Sequence, residues 1–565
     1  MHWINVRIVP ALLTASLTLV SAAAVAHPPS AAPETGFLVV AADRGFQGNE
    51  EIRDAFELLA RTRNAALGVA TDERTRESLR EALGTLAEHG ARRVVVLPAF
   101  VSASDAQLAM VKRLLAESEA PLPVSFATAF GDSYLAVEAL AEGFRAVREP
   151  KGRRVIVVGY GDASSGEIQR DWERLAARAA EGLGFSSVRT AVWNSSRSAE
   201  YRAQQERFKE ELAAAARDGE RPIVVPFHLG RKADSMMSFD AALKRALPTG
   251  AEIALLEPAG SPAFSTWMMR EANRHVPLAP GELGVVVLAH GADYHWNETI
   301  RGALQPLEAR YKIEYCFSMA DQPLVERSVR RLESRGARAA VIVRVFGFAA
   351  SFRAEVERMI GLDIERRAAG GAAHAAHGES SGPSARIRSA MPMVTVGGVE
   401  DDALFAEALL DRARELSKNP AQETVILVAH GTGGDAENDD WLRKLGSIGE
   451  QMRANGGAAF RAIRAATWRE DWPEKRAAWV AKARTMVEEA ARDGGRALVI
   501  PARVNGRGPE REYLKGLDFE LGSGFAPHPH FARWVEKQIE LGAAELGRPT
   551  GAGAPAESDV GKRHH

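Results

Sequence analysis

Residues Thr424 to Asp440 read TVILVAHGTGGDAENDD. A short apolar, β-branched run ends in Ala429-His430-Gly431, a glycine-rich polar turn follows, and acidic residues then open a helical pattern. The device recurs at Gly284 to Glu298, GVVVLAHGADYHWNE, with His290-Gly291 at the strand end. Two further openings share the run without the histidine: Gly36 to Ala42 (GFLVVAA) and Arg154 to Gly159 (RVIVVG). Continuous apolar runs of this length suit strands covered on both faces of a parallel sheet.

Each opening leads into a repeated order of elements. A polar turn carries Asn49-Glu50-Glu51, Asn297-Glu298 or Asn438-Asp439-Asp440, residues that suit the free N–H groups and dipole of a helix start. A long helix, a capping glycine (Gly90, Gly219, Gly336 or Gly494) and a second buried strand come next. The copies pair off, one with three and two with four. Gly219 and Gly494, Pro226 and Pro501, and Trp193 and Trp468 share one offset (494 − 219 = 501 − 226 = 468 − 193). A β–α–β–α pattern predicts right-handed crossovers with helices on both faces of parallel sheets.

The expected organisation is a leader at 1–26, units at 36–150, 151–280, 281–420 and 421–546, and a disordered tail at 547–565. A disordered Ala/Gly/His/Ser-rich insertion is expected at 366–389 inside unit three. The leader pairs Arg7 with an apolar core and Ala24-Val25-Ala26, a pattern that predicts cleavage and export to the periplasm or beyond, with no membrane span left in the mature chain. The 565 residues carry 72 basic and 74 acidic side chains, so no basic excess points to nucleic acid. The single cysteine, Cys316, excludes an intramolecular disulfide and any cysteine-rich metal site, and it reads as a small core residue.

Ligands of open parallel sheets bind beyond the carboxyl ends of the strands, where His290 and His430 stand. Imidazole there can ligate a transition metal or accept a proton; the alternative is a histidine that caps its strand by bonding a carbonyl. Other chemistries lack their motifs. Ala429-His430-Gly431-Thr432-Gly433-Gly434 has no G-x-S-x-G nucleophile elbow to serve, the G-x-G after Val158 lacks its third glycine, and there is no P-loop.

The two strand-plus-AHG motifs, the later Asn297 and Asn438, the strand VVVLPAFVSA (Val94 to Ala103) and the closing APHPHFARWVEKQ (Ala526 to Gln538) together resemble the class II tetrapyrrole chelatases, the sirohydrochlorin cobaltochelatase and ferrochelatase family. The resemblance implies tandem chelatase-like α/β lobes with parallel sheets, four units arranged as two pairs. It implies insertion of a divalent metal (Co2+, or Fe2+ or Ni2+) into a tetrapyrrole such as sirohydrochlorin. His290 and His430 would be both metal ligands and catalytic groups, and Asn297, Asn438, Arg503 and Arg507 would contact the macrocycle. Arg503, Arg507 and Arg511 could meet substrate carboxylates or form a solvated basic loop. The sequence departs from the family's pattern in two places. The strand-end position in the first half falls near Asp43 and at Tyr160, and the loops Phe346 to Glu355 and Ala502 to Glu512 lack the family's second histidine. Carboxylates such as Asp293, Asp435 or Glu437 could replace it. These departures, with the predicted export, support a second reading: a non-catalytic exported binder of metal or tetrapyrrole with a degenerate chelatase fold.

Overall fold

A computed structural model describes residues 35–118, 122–160, 166–193, 199–217, 223–230, 262–279, 281–362, 386–504, 506 and 508–547, with short pieces between 233 and 253. The leader, the tail from 548 and Arg507 lie outside the described residues, as do residues 363–385 of the insertion region.

Four four-stranded sheets form, one per unit. Their lead strands are Thr35–Ala42, Arg154–Tyr160, Leu283–Ala289 and Glu423–Ala429. In every sheet the second strand of the unit flanks the lead strand on one side, and the third and then the fourth lie on the other. All recorded pairings within these sheets are parallel. The same order in all four is what duplication of one αβ unit produces.

The continuous apolar runs are buried on both faces because side chains alternate along a strand. Val425, Leu427 and Ala429 enter one core while Ile426 and Val428 enter another. The first of these cores also holds Val285, Val287 and Ala289, so units three and four share a core through facing sheet sides. Units one and two do the same through Phe37, Val39, Val155 and Val157. Each fully buried Val, Leu or Ile contributes roughly 1.5–3 kcal/mol relative to an exposed one. Cys316 lies in a core of unit three, and burial pushes its thiol up.

The two halves are joined by buried polar contacts. Arg270 is 1% exposed and donates to the Tyr134 hydroxyl (2.5 Å) and to the Ile360 carbonyl (3.2 Å). Tyr134 in turn donates to the Ile387 carbonyl at 2.7 Å. Arg386 and Arg388 pair with Glu138 and Glu142 of the first half. Residues 386–389, the end of the expected disordered insertion, are therefore ordered: Ile387 and Ser389 are buried in this junction. No helix among the described residues is long and apolar enough to cross a membrane.

Candidate metal centre

Sheet register fixes which residues correspond among the units. Gly36 pairs with Val94 and Gly284 with Ala340, and the amides of Val94 and Ala340 both donate to a proline carbonyl. Counting on equally from Gly36 and Gly284 reaches Ala42 and His290 (42 − 36 = 290 − 284). In the other pair Val158 lies opposite Pro226 and Val428 opposite Pro501, so Tyr160 corresponds to His430. The strand-end series is Ala42, Tyr160, His290, His430. Asp43, expected near this position, falls one residue later, opposite Gly291 in the alignment, and is used locally: its Oδ1 accepts from the Gly45 amide and from Asn49 Nδ2, both at 2.9 Å.

The asparagines expected to serve helix starts reach backwards instead. Asn49 Oδ1 accepts from the Arg44 amide (2.8 Å) and Asn297 Oδ1 from the Ala292 amide (3.3 Å), each latching the strand-end turn. Asn438 is fully buried, with Oδ1 accepting from Thr467 Oγ1 at 2.9 Å. That packing requires Gly431: φ is +80°, and a Cβ there would stand 2.9 Å from the Arg469 amide and 3.0 Å from Asn438 Oδ1.

His290 is exposed, and its carbonyl accepts from Trp296 Nε1 at 3.4 Å. His430 is enclosed. Its Nδ1 stands 2.9 Å from the Gly431 carbonyl, and its Nε2 stands 3.1 Å from Asp471 Oδ2 and 3.8 Å from Glu470 Oε2. A carbonyl can only accept, so Nδ1 carries a proton. A neutral imidazole then presents a lone pair at Nε2. A lone pair facing two carboxylates calls for a cation between them, either a proton on Nε2 or a metal ion.

The carboxylates beside His430 are not those expected from the sequence. Asp293 caps a helix, accepting from the Trp296 amide at 2.9 Å. Asp435 is bound by Arg469 (2.6 Å) and Lys475 (2.9 Å), and these two cations hold its carboxyl below the usual range, Lys475 first. Glu437 lies in the first turn of the helix Asp435–Ala454 and is exposed. Glu470 and Asp471 come instead from the loop after the second strand. Arg469, 2% exposed, holds that loop against the strand-end turn by donating to the Thr432 carbonyl at 2.8 Å and to the Gly433 carbonyl at 2.5 Å. Trp468 was legible as a repeat marker in ATWRED; the three residues after it form the loop beside the strand-end turn.

Arg503 comes from the loop after the third strand and is paired with Glu470 Oε1. Its Nη2 is also 3.7 Å from Glu510 Oε1. Arg511 is exposed. Among the described residues no three His, Cys, Asp or Glu side chains converge as a metal-holding group. His430 and Asp471 are in place, while Glu470 is drawn aside by Arg503.

The CbiX family model matches residues 39–147 and 284–416, which fall in units one and three. No curated protein matches the chain. Among solved structures the chain is similar to SirB from Bacillus subtilis with Fe3+, at 14% identity over 46% of this chain and 96% of that one, with a TM-score of 0.35. It is also similar to the sirohydrochlorin chelatase SirB from Bacillus subtilis subspecies spizizenii in complex with cobalt, at 13% identity over 42% of this chain and 93% of that one, with a TM-score of 0.32. A third similar structure is DR2241 from Deinococcus radiodurans, a multi-domain protein with structural similarity to chelatases, at 16% identity over 42% of this chain and 55% of that one, with a TM-score of 0.29. Two regions of the chain, one in each half, are thus similar to the CbiX family.

Proposed function

We propose that the second half inserts a divalent metal ion, Co2+ or alternatively Fe2+ or Ni2+, into a tetrapyrrole of the sirohydrochlorin type, and that the strand end of unit four is where the ion is handed over. The observation that carries this reading is His430 Nε2 facing Asp471 and Glu470 at 3.1 and 3.8 Å. One imidazole and two carboxylates suit a borderline divalent ion, and they release it more readily than a closed thiolate site would. Insertion exchanges M2+ for the two pyrrole N–H protons, so two protons must leave. Asp471, whose side chain is 61% exposed, is placed to take one and pass it to water.

Macrocycle binding needs a flat apolar face. Among the described residues the two most exposed large hydrophobic side chains, Phe46 (86%) and Tyr294 (71%), occupy one repeat position (46 − 42 = 294 − 290), in the first turn of the helix after a lead strand. Rings at that place support stacking on a planar ligand.

The test mixes the full chain with a metal-free tetrapyrrole and Co2+ and follows the absorption spectrum. The expected result is conversion above the spontaneous rate, lost in His430→Ala. Stoichiometric binding without turnover would overturn insertion in favour of a carrier.

A further inference from the structure

Glu510 is 1% exposed, and among the described residues neither of its carboxylate oxygens has a hydrogen-bond partner. A buried carboxylate left this way is costly unless a cation comes to it. Among the described residues the Arg503 guanidinium lies 3.7 Å away, engaged with Glu470. Arg503 is itself under-bonded, since its buried Nε has no partner. Both groups are packed against Gly508, where an added Cβ would stand 2.4 Å from Glu510 Oε1 and 2.8 Å from Arg503 Cζ. One guanidinium thus lies between two carboxylates, bound to one and within reach of the other.

We propose that Arg503 is a placeholder cation that neutralises Glu470 until a divalent metal ion reaches His430, and that Glu510 is the waiting partner onto which Arg503 then moves. This rests on the reading of His430, Glu470 and Asp471 as the metal centre. A metal ion at His430 competes with the guanidinium for Glu470. Displacing Arg503 into a site with no partner would oppose metal uptake; Glu510 removes that opposition. Arg503 and Glu510 are positioning residues in this scheme, and Glu470 is the group they control.

The repeat supplies independent support. The residue two past the third-strand position opposite the lead strand is Phe100, His228, Phe346 and Arg503 in the four units. The carbonyls of Phe100, Phe346 and Arg503 accept equivalent bonds, from the amides of Gly131, Val399 and Phe525. The residue corresponding to Glu470 in unit three is Ala320, because Leu288 lies opposite Cys316 and Val428 opposite Ala466. In the other histidine-bearing unit, carboxylate and guanidinium are therefore both replaced, by Ala320 and Phe346. They behave as one device.

The test titrates the full chain with Co2+ alone by calorimetry, in wild type, Glu510→Gln, Arg503→Met, the double variant and His430→Ala. Glu510→Gln keeps shape and removes charge, and it is expected to weaken Co2+ binding about tenfold. The same change on the Arg503→Met background is expected to have no effect, because no guanidinium remains to be rehoused. A structure with Co2+ bound should show Arg503 closer to Glu510 than to Glu470. Binding that depends on His430 but is unchanged by Glu510→Gln, or weakened equally on both backgrounds, overturns the switch alone. Wild type that takes up no Co2+, or takes it up equally after His430→Ala, overturns the metal-centre assignment and the switch with it.

Discussion

His290 and His430 end equivalent strands, follow an alanine and precede a glycine, yet they stand in opposite surroundings. Both strands hold the next loop by the same bond: the Ser318 amide donates to the Ala289 carbonyl at 3.0 Å and the Trp468 amide to the Ala429 carbonyl at 2.9 Å. Past that bond the units diverge. Unit four places Arg469, Glu470 and Asp471 over the turn, and unit three has Met319, Ala320 and Asp321. Met319 is 41% exposed, whereas Arg469 is 2% exposed and binds the turn. Unit three does keep a buried arginine, Arg344, but spends it on its own loop through the carbonyls of Ala349 (2.6 Å) and Ser351 (2.8 Å), and burial pulls its pKa down to about 10. Two histidines at equivalent strand ends thus meet different groups, and the loop after the second strand sets the difference.

The largest effect should separate the two histidines. His430→Ala is expected to lower metal-insertion activity by about 10²-fold or more, the scale for losing a group that handles metal or proton at the reacting centre. His290→Ala should cost less than a few-fold. Equal losses in the spectral assay would break the comparison and give unit three an equal share of the chemistry.

Next in size is a transplant. Ala320 is 6% exposed, so Ala320→Glu alone buries a carboxylate with no counter-cation and should destabilise by about 2–3 kcal/mol. Adding Phe346→Arg should recover part of that loss and raise Co2+ stoichiometry by one site. Chemical denaturation and Co2+ titration check the two claims. A double variant no more stable than Ala320→Glu would mean that the register correspondence does not extend to side-chain reach.

Much of the fold was legible because it is periodic. Apolar runs such as Val94 to Leu97 and Val285 to Leu288, and the shared offset of Trp193 and Trp468, carry the four-unit order, and strand register returns the same pairs. Of the side chains gathered at the candidate site, His430 and Arg503 were legible in the sequence. Spacing to the capping glycines puts the strand-end position near Asp43, since 290 − 43 and 336 − 90 differ by one residue, and only the pairing of Gly36 with Val94 and of Gly284 with Ala340 moves it to Ala42. Glu470 and Asp471 lie 40 and 41 residues past His430 (470 − 430, 471 − 430), beyond the reach of any local pattern. They meet His430 because the second strand lies beside the lead strand in the sheet. Nothing in the sequence distinguishes Arg503 from Arg511, since burial beside Glu470 is a property of packing.

A smaller effect is expected from Arg469→Met, which gives unit four the residue of unit three. The Thr432 and Gly433 carbonyls and the exposed Asp435 lose a donor. The buried share of that loss suggests about 2 kcal/mol. Hydrogen exchange should speed up in 431–435 and leave the strand Leu283–Ala289 unchanged. Exchange that rises equally in both units would show that Arg469 supports the half as a whole and not its own turn.

The smallest expected effect concerns acid. Glu423 opens the lead strand of unit four, where unit three has Leu283. Burial pushes the Glu423 carboxyl up, but bonds from Ser417, from the amides of Lys418 and Asn419, and from Arg496 outweigh it and leave the carboxyl below its ordinary value. A carboxylate whose folded pKa is depressed adds stability that is complete above the unfolded value, about 4.3, and is lost as pH falls through the folded one. Between about pH 5 and pH 3, the strand Glu423–Ala429 should therefore lose protection from hydrogen exchange faster than Leu283–Ala289. In Glu423→Gln that extra loss should disappear, and the acid dependence of the two strands should run parallel. If the wild-type strands already lose protection in parallel, the acid sensitivity of the half lies elsewhere, and its two units differ in chemistry without differing in local stability.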